Sequence, residues 1–343
     1  MHDTAIGRTL RARSLPPSTT WMSVLGGVLC AAYSNAGIAG NVASDAQARL
    51  ERMARAAQTL NYDGTFVYRN GATIETMRLI HRSSDEGERE RLVAMSGAAR
   101  EVVRDGERVT CILPDNRSVV VARSRPRTFP HSRLLDTGNG FERFYALGVH
   151  EGERIAGRQT ELVDMRPKDR FRYGHRLWLD RDTGLLLKSE LIGERGEIVE
   201  QLVYTNIELP ARISDELLEP ETSGAGYTWY RDEHSETAVG VEPGESSSWH
   251  AGWLPDGFQL RDRARNPIMQ SRAPVEHLVF SDGLASLSVF IEPLDTAGEP
   301  LDGLSSMGAV NAYGTMVNGY QVTVVGEVPA ATVERVAGSI DGP

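Results

Sequence analysis

The chain has 343 residues and carries 37 Lys and Arg against 47 Asp and Glu, a formal net charge of −10. That length holds two ordinary domains once a leader is set aside. The acidic balance excludes a typical nucleic-acid binder, because neutralisation of phosphates by Lys and Arg supplies most of that affinity.

Arg8, Arg11 and Arg13 form a basic start, and Trp21 to Ala32 an apolar run. The run is shorter than the roughly 20 residues of a bilayer-spanning helix. Gly37 and Ala39 fit a cleavage site, with Ala43 as a second candidate. Residues 1–40 are therefore expected to be a cleaved signal peptide and the remainder an exported soluble protein. Cys30 follows Val28-Leu29, which forms no lipid-attachment box. Cys111 then stands alone in the apolar run Val109 to Leu113 and reads as a small buried hydrophobe.

From Ser44 to Leu60, Leu50, Met53, Ala54, Ala57 and Leu60 recur at helical spacing, and Ser44 or Asp45 can cap the helix. Asn61-Tyr62-Asp63-Gly64 ends it. Short strands follow at hairpin spacing, at 65–69, 74–81, 90–96, 101–104, 108–113 and 117–122. The stretch FERFYALG, near 139–149, reads as a short helix. Strands at 154–157 and 159–166 lead into a meander at 174–180, 185–192 and 198–205. Its turns are Asp182-Thr183-Gly184 and Gly193-Glu194-Arg195-Gly196. One helix and about ten antiparallel strands make a large sheet that must curl.

Residues 214–246 are rich in Glu, Ser, Gly and Pro and read as a linker, in which Tyr227, Trp229 and Tyr230 are expected to dock on a domain. Residues 247–343 read as a small α+β unit. Strands are expected at 257–262, 275–281, 285–292, 307–315 and 319–326, with a final helix from Ala330 to about Ser339. Charge separates the halves. Residues 41–213 hold 28 basic and 26 acidic side chains, whereas 214–343 hold 6 and 20. The halves should therefore prefer different partners.

The seven histidines after the leader show no metal-ligand spacing to one another or to Cys111. No nucleophile elbow or phosphate loop is formed. Asp180 and Asp182 flank a hairpin turn and read as surface turn chemistry. The chain is thus expected to be a binding protein, with no enzyme activity, metal or cofactor. Met77 and Leu79, Val119 and Val121, Leu177 and Leu179, and Leu185 and Leu187 each share a strand face. Two readings stand: a plain core filled by the 44–60 helix, or a residual apolar groove that accepts an acyl chain or apolar peptide. Between Asp115 and Asp136 there is no acid, yet Arg117, Arg123, Arg125, Arg127 and Arg133 are present. That segment is either a solvated loop or a phosphate-recognition element. An acyl groove beside it would suit a phosphorylated glycolipid.

Several long strings resemble the MucB/RseB family: 61-NYDGTFVY-68, 75-ETMRLIHR-82, 100-REVVRDGERVTCILPD-115, 154-RIAGR-158, 166-RPKDRFRYGHRLWLD-180, 183-TGLLLKS-189, 278-LVFSDGLASLSVFIEP-293 and 321-QVTVVGEVPAATV-333. The linker and Arg261 to Pro274 are less family-like. The resemblance implies an α+β, mainly antiparallel protein. Residues 41–213 would form an open β-barrel of lipoprotein-carrier type around helical elements, and 247–343 a small α+β domain. It also implies a periplasmic negative regulator of an envelope-stress sigma factor. Such a regulator binds the periplasmic part of a membrane-spanning anti-sigma factor, shields it from site-1 proteolysis and is released by lipopolysaccharide-type ligands. Phe290, Tyr313 and Tyr320 are the candidate partner contacts, although Phe290 sits among alternating apolar residues and reads more readily as core. A lipid or lipoprotein carrier is the competing reading. Self-association at an unpaired sheet edge is a further expectation.

Overall fold

The computed structural model describes residues 36–123, 141–231, 248–267, 274–294 and 301–343. Helix α1 spans Ala36–Thr59. Its buried stripe is Ala46, Leu50, Met53 and Ala56, at steps of three and four that keep one face toward the sheet. Ala54, Ala57 and Leu60, expected in that stripe, lie half-buried at its margin. Asn61 ends the helix by bridging two distant strand ends. Its Nδ2 donates to the Ala211 carbonyl at 3.0 Å, and its Oδ1 accepts the Ser83 N–H at 2.9 Å.

Strands β1 (Tyr62–Asn70), β2 (Thr73–Ser84), β3 (Gly87–Ala94), β4 (Glu101–Asp105), β5 (Arg108–Leu113) and β6 (Ser118–Arg123) form successive hairpins. A single 3-10 turn at Phe141–Arg143 precedes β7 (Tyr145–Glu151). The meander expected further on is present. After β8 (Thr160–Pro167) come β9 (Gly174–Asp180), β10 (Leu186–Ile192) and β11 (Ile198–Glu208). β11 closes back on β1. Together with β12 (Thr228–Arg231), among the described residues this makes a twelve-stranded sheet, ordered β12-β6-β5-β4-β3-β2-β1-β11-β10-β9-β8-β7, which remains open at both ends. β12 is the exception to the antiparallel pattern, because it pairs parallel to β6.

Two expected elements differ. The FERFYALG stretch is helical only in its first three residues and is strand from Tyr145, which is buried while Leu147 and Val149 pack partly buried against the same cluster, at period two. Pairing with β8 overrides its helical spacing. Residues 154–157 make a tight turn closed by the Ile155–Arg158 bridge, with Ala156 and Gly157 at positive φ. The segment read as linker is in its first part an extension of the large sheet. The short helix α2 (Asp215–Leu218) buries Leu218 against Ile80, and β12 docks by backbone pairing with β6; of the aromatics expected to dock, Tyr227 is half-buried, whereas Trp229 and Tyr230 stay exposed.

The second sheet runs β14-β15-β16-β19-β18-β17, from β14 (Gln259–Pro267), β15 (Pro274–Ser281), β16 (Ser286–Pro293), β17 (Gly303–Met307), β18 (Val310–Val317) and β19 (Tyr320–Gly326). Helix α3 (Ala330–Ala337) covers one face with Val333, Val336 and Ala337. β13 (His250–Ala251) pairs with β20 (Ile340–Asp341) at its end. β17 was not expected. Its Gly, Ser and Met residues lie mostly exposed on an edge and carry no apolar alternation. The α+β, mainly antiparallel architecture is as the sequence implied.

Candidate functional site

Register places the apolar residues singled out in the meander on the inner face of the large sheet. Leu177 lies opposite Ser189, Ser189 opposite Leu202, and Leu202 opposite Tyr68, so these four form one cross-strand row. Met77 lies opposite Phe66, which lies opposite Tyr204. Helix α1 packs across these rows. Ala46, Leu50 and Met53 meet Leu177 and Leu179, and Ala56 joins the cluster of Met77, Leu79, Leu185 and Leu187. Leu177 and Leu187 are fully buried, and Met77, Leu79, Leu179 and Leu185 nearly so. Val119 is fully buried beneath Gly224 and Trp229, whereas Val121 is half-buried. In this conformation the inner face is packed core.

Of the arginine segment, Arg117 is exposed at positive φ, with its guanidinium 5.9 Å from the Tyr227 ring centroid. Arg123 ends β6. Arg125, Arg127 and Arg133 lie outside the described residues. In the second sheet, Phe290 turns away from the core face and stacks on His277 at 4.4 Å. Tyr313 and Tyr320 are partly buried against the core, and Tyr320 meets Trp249 edge-on at 5.1 Å.

A second constellation was not singled out from the sequence. It lies where the two sheets meet, and the loop between β8 and β9 builds it. Arg172 has a fully buried side chain. Its guanidinium reaches Asp169 of the same loop at 2.8 Å, Asp282 of the β15–β16 turn at 2.5 Å and the Asp256 carbonyl at 2.7 Å. Asp282 is itself almost fully buried. Rings from both sides enclose the cation, with Phe144 at 4.9 Å and Phe258 at 5.5 Å. Gly257 lies under the Phe144 ring at φ 87°, where a Cβ would collide with that ring. The Tyr145 hydroxyl lies beside this pair, and burial raises its pKa well above the usual phenol value.

The junction continues on either side. Leu284, from the turn that carries Asp282, enters the cluster of Leu50, Met53, Tyr145 and Leu179. Thr332 of α3 donates to the Phe171 carbonyl at 2.9 Å, and Arg335 stacks over Trp253 at 4.0 Å. Asn311 donates to the Tyr173 hydroxyl at 3.0 Å. Burial pushes that phenol up to about 12. The Ala309 N–H donates to Asn70 Oδ1 at 3.1 Å, where Gly308, at φ 61°, leaves room for the Asn70 side chain.

Behind Arg172 opens a cavity of about 400 Å³ lined by Arg166, Lys168, Arg170, Arg172, His175 and Arg176, with Asp164, Asp169 and Glu194 among its acids. Its cationic lining suits an anionic group better than an acyl chain. Burial holds His175 down at about 4, so its ring is neutral near pH 7. Asp180, read as surface turn chemistry, is a turn residue but is 2 % exposed. It accepts from Arg158 Nε at 2.6 Å, Thr183 Oγ1 at 2.7 Å and the Thr183 N–H at 2.8 Å. No group of three or more His, Cys, Asp or Glu side chains is placed to hold a metal among the described residues.

Residues 45–222 match the MucB/RseB N-terminal domain and residues 243–341 the MucB/RseB C-terminal domain. The chain is 38% identical over 309 residues to the sigma factor AlgU regulatory protein MucB of Pseudomonas aeruginosa, covering 87% of this chain and 91% of that one. It is 25% identical over 309 residues to the sigma-E factor regulatory protein RseB of Escherichia coli, covering 85% and 89%. Among solved structures, the P. aeruginosa MucA/MucB complex aligns with TM-score 0.69 at 32% identity, covering 87% of this chain and 99% of that one. MucB in complex with MucA(peri) aligns at 0.65 and 33%, covering 87% and 99%. A crystal structure of MucB aligns at 0.58 and 32%, covering 88% and 98%. Both halves of the sequence, and the fold that joins them, therefore place the chain in the MucB/RseB family.

Proposed function

We propose that this chain is a periplasmic negative regulator of an envelope-stress sigma factor. It binds the periplasmic segment of a membrane-spanning anti-sigma factor, shields that segment from site-1 proteolysis and lets it go when a lipopolysaccharide-type ligand binds. The observation that carries the reading is the likeness, across both sheets, to MucB bound to MucA. The second part of the chain carries most of the negative charge. It therefore suits a partner whose contacting surface is basic.

The packed inner face bears on the lipid side of the proposal. Met77, Leu79, Leu177, Leu179, Leu185 and Leu187 are already covered. An acyl chain reaches them only by displacing α1, and the cationic cavity beside Arg172 is the natural seat for the ligand's anionic groups. The test is calorimetric titration of the chain with the periplasmic segment of the anti-sigma factor from the same genome, with and without lipopolysaccharide. Saturable binding that weakens as lipid is added is expected, with reciprocal weakening of lipid binding by the segment. Lipid binding without any binding of the segment would put a carrier role in its place.

A further inference from the structure

Each sheet has its own apolar core, and the junction between them is chemically different from both. Its contacts are mainly polar or aromatic: Arg172 with Asp282, Thr332 with the Phe171 carbonyl, Asn311 with the Tyr173 hydroxyl, and Ala309 with Asn70. Leu284 crosses into the cluster around Leu50 and Met53, and Ala309 into a small one with Tyr173 and Leu191, and these are the junction's buried apolar contacts among the described residues. Junctions of that kind between units of one chain dock reversibly. A guanidinium that satisfies carboxylates from both sides is demanding in direction as well as distance. Arg172 can meet Asp169, Asp282 and the Asp256 carbonyl together in only one relative pose of the two sheets. The match in TM-score is higher to both MucA-bound MucB structures than to the crystal structure of MucB, at similar identity and coverage, which is a difference between those structures.

We propose that Arg172 is a positioning residue for partner binding: its clasp on Asp282 holds the two sheets in the docked pose, and that pose is the one that accepts the anti-sigma segment. The partner-binding half of this inference rests on the function proposed above; the clasp itself does not. Docking and partner binding are then linked. If only a fraction of molecules is docked, apparent affinity falls by that fraction, and saturating partner restores docking. The cavity on the other side of Arg172 shares Asp169 and Arg172 with the clasp. Residues 166–172 therefore carry both the clasp and the wall of that cavity.

The experiment compares the full chain with Arg172→Gln, Arg172→Lys and Asp282→Asn by small-angle X-ray scattering and by calorimetric titration with the anti-sigma segment. Arg172→Gln is expected to raise the radius of gyration while leaving the strand signal in circular dichroism unchanged. Its affinity for the segment should drop at least tenfold. Arg172→Lys keeps the charge without the planar fork and should fall between the two. Saturating segment should return the radius of Arg172→Gln toward the wild-type value, a reversal that mere damage to the fold would not show. If Arg172→Gln does not fold, Asp282→Asn, which leaves Arg172 paired with Asp169, supplies the same comparison. A wild-type radius and affinity in the folded variant, or tighter binding of the segment, overturns the proposal. If the wild-type chain binds no segment at all, the functional reading and the positioning role fall together, and the scattering of the variants still decides whether the clasp exists.

Discussion

Truncating Leu284 to Ala should loosen the junction without unfolding either sheet. Leu284 is 5 % exposed, and its neighbours, Leu50, Met53, Tyr145 and Leu179, belong to the large sheet and its helix, whereas its backbone belongs to the small sheet. Leu-to-Ala changes at buried sites cost about 2–5 kcal/mol, the spread reflecting how far the site collapses. Leu284 sits on a turn that can settle into the gap, which places the cost near the low end, about 2–3 kcal/mol. Because the contact joins two units, that cost falls on docking, an increase of roughly 30- to 150-fold in the open fraction. The Ala309 amide reports it, since its N–H donates across the junction to Asn70. Native-state hydrogen exchange by NMR should show Ala309 losing protection by that factor. The amides of Val289 and Val324, inside the small sheet, should keep theirs. Equal loss at all three sites would mean that the two sheets unfold as one unit. Unchanged protection at Ala309 would mean that Leu284 contributes nothing to docking.

Replacing His175 by Gln should flatten the acid side of the stability profile. The wild-type ring has a folded pKa of about 4, below its unfolded value, so its contribution is complete above about pH 6.5 and shrinks by about 3 kcal/mol on descent to pH 4. Urea midpoints at pH 7 and pH 4.5 test this, and a difference between the two proteins that stays constant with pH refutes it. Asp180→Asn should cost about 2–4 kcal/mol at pH 7, because Arg158 and Thr183 lose a buried carboxylate. Burial alone would raise the Asp180 pKa, but those hydrogen bonds outweigh it and hold it below the usual range. The deficit of the variant should therefore persist above the unfolded carboxylate value and disappear as pH falls through the folded one, as read from unfolding curves at pH 7 and pH 3. Trp229→Ala removes an indole that is 47 % exposed, with its N–H on the Gly224 carbonyl. Global stability should change by less than about 1 kcal/mol. The Thr228 amide, bonded to the Arg117 carbonyl, should exchange faster, and unchanged protection there would show that β12 stays docked without the indole.

What could be read in the sequence follows from periodicity. The meander was legible because two turn signals bracket alternating apolar runs, and the observed strands Gly174–Asp180, Leu186–Ile192 and Ile198–Glu208 lie where those runs predict. The helix was legible for the same reason, although its stripe is rotated by one residue at Ala56. FERFYALG misled because Phe141, Phe144, Tyr145 and Val149 fit a helix while Tyr145, Leu147 and Val149 also fit a strand. Only pairing with β8 separates the two. β17 left no mark because an exposed edge strand needs no apolar face. Asp180 was read as surface because a sequence shows the turn but not Arg158, 22 residues away, folding over it.

The junction was illegible for a deeper reason. Arg172 and Asp282 are 110 positions apart, and neither has a local pattern that distinguishes it from a solvated charge. Both nevertheless lie inside family-like strings, 166–180 and 278–293, whose length exceeds what strands β9, β15 and β16 require. The surplus residues include those that meet across the junction: Arg172, held by Asp169, on one side and Asp282 on the other, with Leu284 reaching α1 and Tyr173 reaching Asn311 beyond those strings. Their energetic roles differ. A buried ion pair recovers little beyond its own desolvation, so its worth lies in direction. A buried leucine contributes adhesion with little preference for angle. Leu284 thus holds the two sheets together while Arg172 selects how they are held. Leu284→Ala should accordingly change how often the junction is closed while the pose of the closed molecules stays the same. Arg172→Gln should lower the fraction of molecules held in the one pose that the clasp selects, and it is that pose that a partner reads.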